Sequence, residues 1–369
     1  MKWIEEGLRS FGFFLFRVFL RNKQVQLPLD GSKIKRILLL RYDVLGDMIV
    51  TTPVFNILKE KLPNVEIHVL GSKRNVGLLA YDKRISKVYC YEGTLRSLLN
   101  IGHESRRQHY DCVLPLVFYK TTEAGIWANW MGGRNAVKIG WANPWRAELY
   151  KSLYNSQIPS NPAAKVTMTM SDILVNFVCE CFGWNFSTNL TKLHIELAPK
   201  HEIYALEIYK KFADKKTILI NISAGKSIRE MPETTVSELI ALLIEAYPHV
   251  VILVNASPID IQKAQRIRSL FRNNVILLPY SSDVLNFCAV VKLTDVVISP
   301  DTAIVHIAAT FNVPTIGLYK NSEQHCTEWG PQHEQSIVVM PKSENPVSAI
   351  DARSVFGAFE KLNQQFRMV

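Results

Sequence analysis

The sequence predicts an α/β protein of two Rossmann-like, doubly wound domains facing a cleft, preceded by an amphipathic helix. Three observations lead there. The 369 residues exceed the usual size of one domain. From Ile34 onward, short apolar runs alternate with helical patterns, as in parallel sheets flanked by helices. That alternation lapses between Thr188 and Lys200 and then resumes, which gives domains over 34–195 and 196–369 after an extension over 1–33.

Composition sets the class. With 48% hydrophobic and 21% charged residues the chain is an ordinary globular protein, and disordered and fibrous classes are excluded. The formal charge of +10 favours an anionic partner: a nucleotide, a phosphorylated sugar or an anionic lipid. Nucleic acid is not expected, because no Cys/His finger spacing and no aromatic RNP-like strand accompanies the charge. Six scattered cysteines in apolar segments read as reduced, buried thiols of a cytosolic protein.

Met1–Lys23 predicts an interfacial helix. Trp3, Ile4, Leu8, Phe11, Phe14, Leu15, Val18 and Phe19 share one helical face, while Glu5, Glu6, Arg9, Arg17 and Arg21 lie opposite. The apolar run is far short of the ~20 residues that span a bilayer. Early acids, Arg17 inside the apolar stretch and the lack of a small-residue cleavage site do not fit a signal peptide. Peripheral binding to the cytoplasmic face of the inner membrane through residues 1–24 is the expectation. A helix docked on the first domain is the alternative.

In the first domain, strands are expected at Arg36–Arg41, Val65–Leu70, Lys87–Cys90, Asp111–Leu116 and Ala136–Ile139. Helices are expected at Thr51–Leu62, with Pro53 in the first turn, and at Thr122–Met131 and Met168–Phe182. Trp141–Lys165, rich in Asn, Pro, Trp and Tyr, reads as a long irregular loop over a cleft. In the second domain, strands are expected at Thr217–Ile222, Val250–Val254, Val275–Leu278, Asp295–Ile298 and Thr315–Leu318. Helices between them cover Thr235–Ala246, Pro258–Phe271, Asp283–Lys292 and Thr302–Thr310.

Ligands of doubly wound sheets bind at the carboxyl ends of the strands, so the loops there are the informative ones. After the first strand comes Arg41 to Thr51, where Gly46 permits a tight turn and Asp47 sits near a helix start. Asp47 can cap that helix or act as a general base on an acceptor hydroxyl. The first strand of the second half runs into Asn221, Ala224, Gly225, Lys226, Ser227 and Arg229. A phosphate-loop NTPase would need Gly where Ile220 stands and is rejected, leaving a small-residue turn with two cations near. The fifth strand ends in Ser299, Pro300, Asp301, Thr302 and Ala303, with His306 one helical turn further on. Asp301 or Thr302 as cap would leave free N–H groups for an anion such as a diphosphate. No Asp-x-Asp pair occurs, so a metal clamp on that diphosphate has no evident ligands.

In order and spacing these loops resemble the heptosyltransferase-like glycosyltransferases of family 9. The residues that carry the resemblance are Gly46-Asp47 with Thr51-Thr52-Pro53, then Asn221, Ala224, Gly225, Arg229 and Pro232, then Asp301, Thr302, Ala303, His306 and Ala308. The resemblance implies a GT-B fold and metal-free, inverting transfer of a heptose-like sugar from a nucleotide donor such as ADP-heptose. It implies a lipopolysaccharide or related surface glycan as acceptor, no cofactor, and Asp47 as base. It places Asn221, Ala224, Gly225, Arg229, Asp301, Thr302, Ala303 and His306 on the donor, and Arg41, Gly46 and Thr51 in the acceptor-side loop. Arg229 stands where the family has Lys, Met231 where it has Trp, and Ala303 where it has Gly. A nicotinamide oxidoreductase is not expected, since Leu40 to Asp47 holds a single Gly. A sugar-nucleotide epimerase would give no reason for a membrane helix. A noncatalytic nucleotide-sugar or glycan-binding protein on the same scaffold is the non-enzyme alternative.

Overall fold

The computed structural model describes residues 20, 22–159, 167–212, 214–342 and 346–369. Of the amphipathic helix expected over Met1–Lys23, residues 1–19 and 21 lie outside the described residues, and Leu20, Asn22 and Lys23 are not helical. The chain forms two compact units, one of residues 1–164 and 171–192, the other of residues 165–170 and 193–369.

The first unit's elements follow as β1 (Arg36–Leu40), α1 (Leu45–Lys61), β2 (Glu66–Ser72), β3 (Ile85–Tyr91), α2 (Leu95–Arg106), β4 (Cys112–Pro115), α3 (Thr121–Gly132), β5 (Val137–Trp141), α4 (Ala147–Leu153), β6 (Ser156–Ile158) and α5 (Met170–Phe182). Every strand pair is parallel, in the order β3-β2-β1-β4-β5-β6. Ile37 to Leu40 are wholly buried, because helices cover both faces of a parallel sheet and leave β1 no polar side.

Two expectations need correction here. Helix α1 starts at Leu45, six residues before the expected Thr51, so Gly46 and Asp47 belong to its first turn and not to a preceding loop. Pro53 therefore stands well inside the helix. The Ile49 carbonyl, which Pro53 cannot bond, is taken by the Thr52 hydroxyl at 2.7 Å, and this offsets the missing N–H. The described part of Trp141–Lys165 is not an irregular loop either: a 3₁₀ turn at Pro144–Arg146, α4 and β6 occupy most of it. Leu149, Tyr150, Leu153 and Tyr154 bury together at helical spacing, a stripe that the surrounding Asn, Pro and Trp obscure in the sequence.

The second unit runs α6 (Pro199–Tyr209), β7 (Thr217–Asn221), α7 (Glu233–Ala246), β8 (Val251–Asn255), α8 (Ile261–Leu270), β9 (Val275–Leu277), α9 (Val284–Leu293), β10 (Val296–Pro300), α10 (Ala303–Thr310), β11 (Thr315–Leu318), α11 (Glu323–Trp329), β12 (Ser336–Val339) and α12 (Ala352–Phe366). Its sheet, β12-β11-β10-β7-β8-β9, repeats the winding of the first. Sequence patterning misses α6, α11, β12 and α12. Strand β12 is a half-buried edge, and α12 buries Val355, Phe359 and Leu362 on one face.

In each sheet the strand order reverses beside the first strand, between β1 and β4 and between β7 and β10. Such a switch point opens a crevice at the carboxyl ends of the strands. The loops leaving β1, β7 and β10 start there. All six cysteines are free thiols; Cys112, Cys179, Cys181 and Cys288 are buried.

Candidate functional site

The first unit's switch point is organised by a buried arginine. Arg41 is wholly buried, one residue past β1, and its guanidinium reaches four acceptors. Nε donates to the Asp47 carbonyl at 3.0 Å, Nη2 to Asp47 Oδ1 at 3.0 Å, and Nη1 to Asp43 Oδ2 at 3.1 Å and the Leu116 carbonyl at 2.6 Å. The Phe118 ring lies 5.4 Å from the guanidinium carbon. An arginine fork suits this geometry, because its planar donors hold two carboxylates in fixed directions.

Asp47 caps its helix and pairs with Arg41. As the third residue of α1 it accepts the Val44 N–H at 3.4 Å, a long capping contact, while its other oxygen rests on Arg41. Its side chain keeps 14% exposure, enough for one oxygen to meet a ligand. Thr51 donates its hydroxyl to the Asp47 carbonyl at 2.7 Å and so steadies the turn rather than facing a substrate.

Asp43 is the functional candidate that sequence reasoning overlooks. Burial pushes its carboxyl up to about 6; Arg41 opposes that rise and the Asp47 charge adds to it. Its Oδ1 is buried with no hydrogen-bond partner among the described residues. The signal in the sequence is Arg41-Tyr42-Asp43, an acid two residues after an arginine that ends a buried strand. Tyr42 beside it packs on Trp127, with ring centroids 4.3 Å apart, and burial raises its phenol far above the ordinary value.

The second unit carries a cavity of about 610 Å³ at its own switch point. Asn221, Ala224, Gly225, Thr302 and Ala303 line one end, and Leu278, Tyr280 and Phe287 the other. Asn221 ties the end of β7 to the start of α10: its Nδ2 donates to the Ser223 carbonyl at 2.9 Å, to Ser299 Oγ at 3.1 Å and to Thr302 Oγ1 at 3.4 Å. Of the two residues able to cap α10, Thr302 does so, accepting the Ile304 N–H at 3.4 Å. Orphan N–H groups of that helix start favour an anion at the polar end. A Cβ at Gly225 would meet nothing within 4 Å, so the glycine leaves space rather than relieving a clash.

Three predicted residues stand off the cavity lining. Asp301 Oδ2 accepts Arg229 Nη1 at 3.0 Å and pairs with His325 Nε2 at 2.7 Å. Arg229 Nη1 also bonds the Asp301 carbonyl at 3.0 Å, so it is anchored beside the helix start with its remaining donors at hand. His306, on α10 itself, is 2% exposed, with its ring 6.2 Å from that of Trp329. Missed by sequence reasoning, His325 is recognisable only once the fold brings α11 against Asp301. Among the described residues, no group of three or more His, Cys, Asp or Glu side chains is placed to hold a metal ion.

Residues 100–355, more than half of the chain, match the family described as glycosyltransferase family 9 (heptosyltransferase). The chain belongs to glycosyltransferase family 9. This glycosyltransferase is 24% identical over 364 residues to an Escherichia coli (strain K12) protein named, provisionally, lipopolysaccharide heptosyltransferase 4, covering 96% of this chain and 93% of that one. Among solved structures it resembles the family 9 glycosyltransferase of Veillonella parvula DSM 2008, with a TM-score of 0.76 at 18% identity, covering 92% of this chain and 99% of that one. It also resembles E. coli ADP-heptose lipopolysaccharide heptosyltransferase II, with a TM-score of 0.73 at 16% identity, covering 90% and 99%. The two parallel six-stranded units of the glycosyltransferase are thus those of a GT-B fold.

Proposed function

We propose that this enzyme is an inverting, metal-independent glycosyltransferase. It moves a heptose-type sugar from a nucleoside diphosphate donor, with ADP-heptose the first candidate, to a lipopolysaccharide core or related surface-glycan acceptor. The observation that carries the donor side is the switch-point cavity of the second unit. Its apolar end at Leu278, Tyr280 and Phe287 suits a nucleobase, and its polar end at the start of α10 suits a diphosphate. The names of the relatives support the sugar and the acceptor class.

In the reaction, the acceptor hydroxyl oxygen attacks the anomeric carbon on the face opposite the diphosphate. The new C–O bond forms as the bond to the phosphate oxygen breaks, the proton passes to Asp47, and the nucleoside diphosphate departs with the bonding pair. Orienting Asp47 is the task of Arg41, which occupies Oδ1 and leaves the other oxygen to a long capping contact. The leaving diphosphate is stabilised by the N–H groups of the α10 start and by Arg229. Asp301, engaged by Arg229 and His325, positions that arginine rather than a metal ion. Asn221, Ala224, Gly225, Thr302 and Ala303 shape the donor site, and His306 supports it from behind.

We place the work at the cytoplasmic face of the inner membrane, reached through residues 1–24, whose aromatic face and arginine flank suit an anionic surface. No helix of the described residues is long and apolar enough to cross a membrane. The test is a thermal-shift screen against ADP-, UDP-, GDP- and CDP-sugars, followed by turnover with the selected donor in excess EDTA. One donor should raise the melting temperature by mass action, and turnover should survive the chelator. Complete loss with EDTA, restored by Mg²⁺, would overturn the metal-free mechanism.

A further inference from the structure

A second cavity, of about 1120 Å³, lies in the first unit at the amino ends of β4, β5 and β6. In a parallel sheet this is the edge opposite the carboxyl ends, where Arg41 and Asp47 stand. None of the residues assigned to transfer lines it.

Its charged lining is all of one sign. Lys23, Arg106, Arg134 and Lys138 face it with His109, and among the described residues no Asp or Glu does. Lys138 is the decisive one. It sits on β5 between two other strands, wholly buried, and its stem runs beside Gly132 at the end of α3. Its Nζ makes one hydrogen bond, to Asn22 Oδ1 at 3.2 Å, and no carboxylate of the described residues comes within ion-pair reach. Burial alone lowers its ammonium to about 8. Arg106 donates to the Trp130 carbonyl and lies over that ring, again without an acid, while Arg134 is exposed and unpaired among the described residues.

A buried ammonium without a counter-charge destabilises a fold, whereas an apolar side chain of similar length fills the same place. The charge at position 138 therefore has no structural task that Met could not perform. Four cations around one cavity suit a ligand carrying more than one negative charge, and the volume admits more than a bare ion. We propose that this cavity binds a phosphate monoester group, either free or on a lipid headgroup, with Lys138 at its floor and Arg134 and Lys23 at its mouth. This inference does not rest on the donor or acceptor assigned above.

The experiment uses the full chain. Inorganic phosphate is titrated at matched ionic strength by calorimetry into wild type, Lys138→Met, Arg134→Ala and, as a control at the donor cavity, Thr302→Ala. Sedimentation with phosphatidylcholine vesicles, with and without phosphatidic acid, is run in parallel. Wild type should bind phosphate, and Lys138→Met and Arg134→Ala should each weaken it about tenfold or more, the effect of one lost charge-assisted contact, while Thr302→Ala keeps it. Lys138→Met should also melt no lower than wild type without phosphate. Vesicle binding that needs phosphatidic acid and Arg134 would place the phosphate on a lipid; phosphate binding with vesicle sedimentation that Arg134→Ala leaves unchanged would place it on a soluble molecule. Equal phosphate affinity in wild type and both cavity variants, or no binding to phosphate or to phosphatidic acid vesicles, overturns the proposal. So does a Lys138→Met protein that melts well below wild type, since the ammonium would then be structural.

Discussion

Replacing Asp43 by Asn should make the enzyme more stable at neutral pH. The folded chain holds the Asp43 carboxyl at about 6, raised from the ordinary 3.8 chiefly by burial. A carboxyl whose folded value is raised contributes stability that is complete below the unfolded value and lost as pH rises through the folded one. Ionised Asp43 therefore weighs against the fold at neutral pH. Two units correspond to about 3 kcal/mol, and partial solvation of the side chain reduces the expected gain from Asn to about 2 kcal/mol. Asn can still accept the Arg41 hydrogen bond, so the fork stays filled. Urea unfolding followed by tryptophan fluorescence is the assay, since Trp127 packs against neighbouring Tyr42 and reports on this unit. The variant should exceed wild type by that amount at about pH 7 and approach it at about pH 4, where wild-type Asp43 holds its proton. A variant less stable than wild type at neutral pH would refute the reasoning and make Asp43 a structural counter-ion of Arg41.

Arg41→Met should lower stability by about 3–5 kcal/mol, the cost of removing one partner from a buried ion pair, measured by the same urea unfolding. Arg229→Ala should weaken nucleotide-sugar binding by about 1–3 kcal/mol in calorimetry and leave the melting temperature nearly unchanged. His306→Ala should do the opposite, with a lower melting temperature and nearly wild-type donor affinity, because its ring packs against Trp329 behind the cavity. Removing residues 1–19, which spares the hydrogen bonds of Asn22 and Gln24 to Asn129, Ser152 and Lys151, should leave a folded enzyme that no longer sediments with anionic vesicles; equal sedimentation, or aggregation, would make that segment part of the fold.

The winding of both units was legible because parallel strands covered on both faces must be continuous apolar runs. β1, β7 and β10 are the plainest of them, and the loops that follow them were found on that basis. The first turn of α1 was not legible, since Pro53 marks a helix start in most contexts and its local compensation by Thr52 is visible only in three dimensions. Helix α4 hid for a different reason: its apolar stripe spans only Leu149 to Tyr154, within a segment whose composition is that of loops. In the candidate site, Asn221, Gly225 and Thr302 could be read from their positions after strands. Asp43 and His325 were harder to read, because the first takes its character from burial and the second from a residue 24 positions away. Burial beside Asp47 raises the first, and an ion pair from α11 to Asp301 defines the second. His306, one turn after Thr302, is buried and does not line the cavity, which its spacing alone does not reveal.

The central claim is that Asp47 takes the acceptor proton, and Asp47→Asn tests it with the least disturbance. Asn keeps one acceptor oxygen for the Arg41 contact at 3.0 Å, and only the long Val44 capping contact at 3.4 Å is lost. Melting temperature and donor affinity should stay near wild type while kcat falls by about 10²–10⁴, the usual effect of losing a general base. Turnover within a few-fold of wild type would contradict the account. If Asp43→Asn then proved the inactive variant, the base would be Asp43, and Asp47 would be left as the cap of α1.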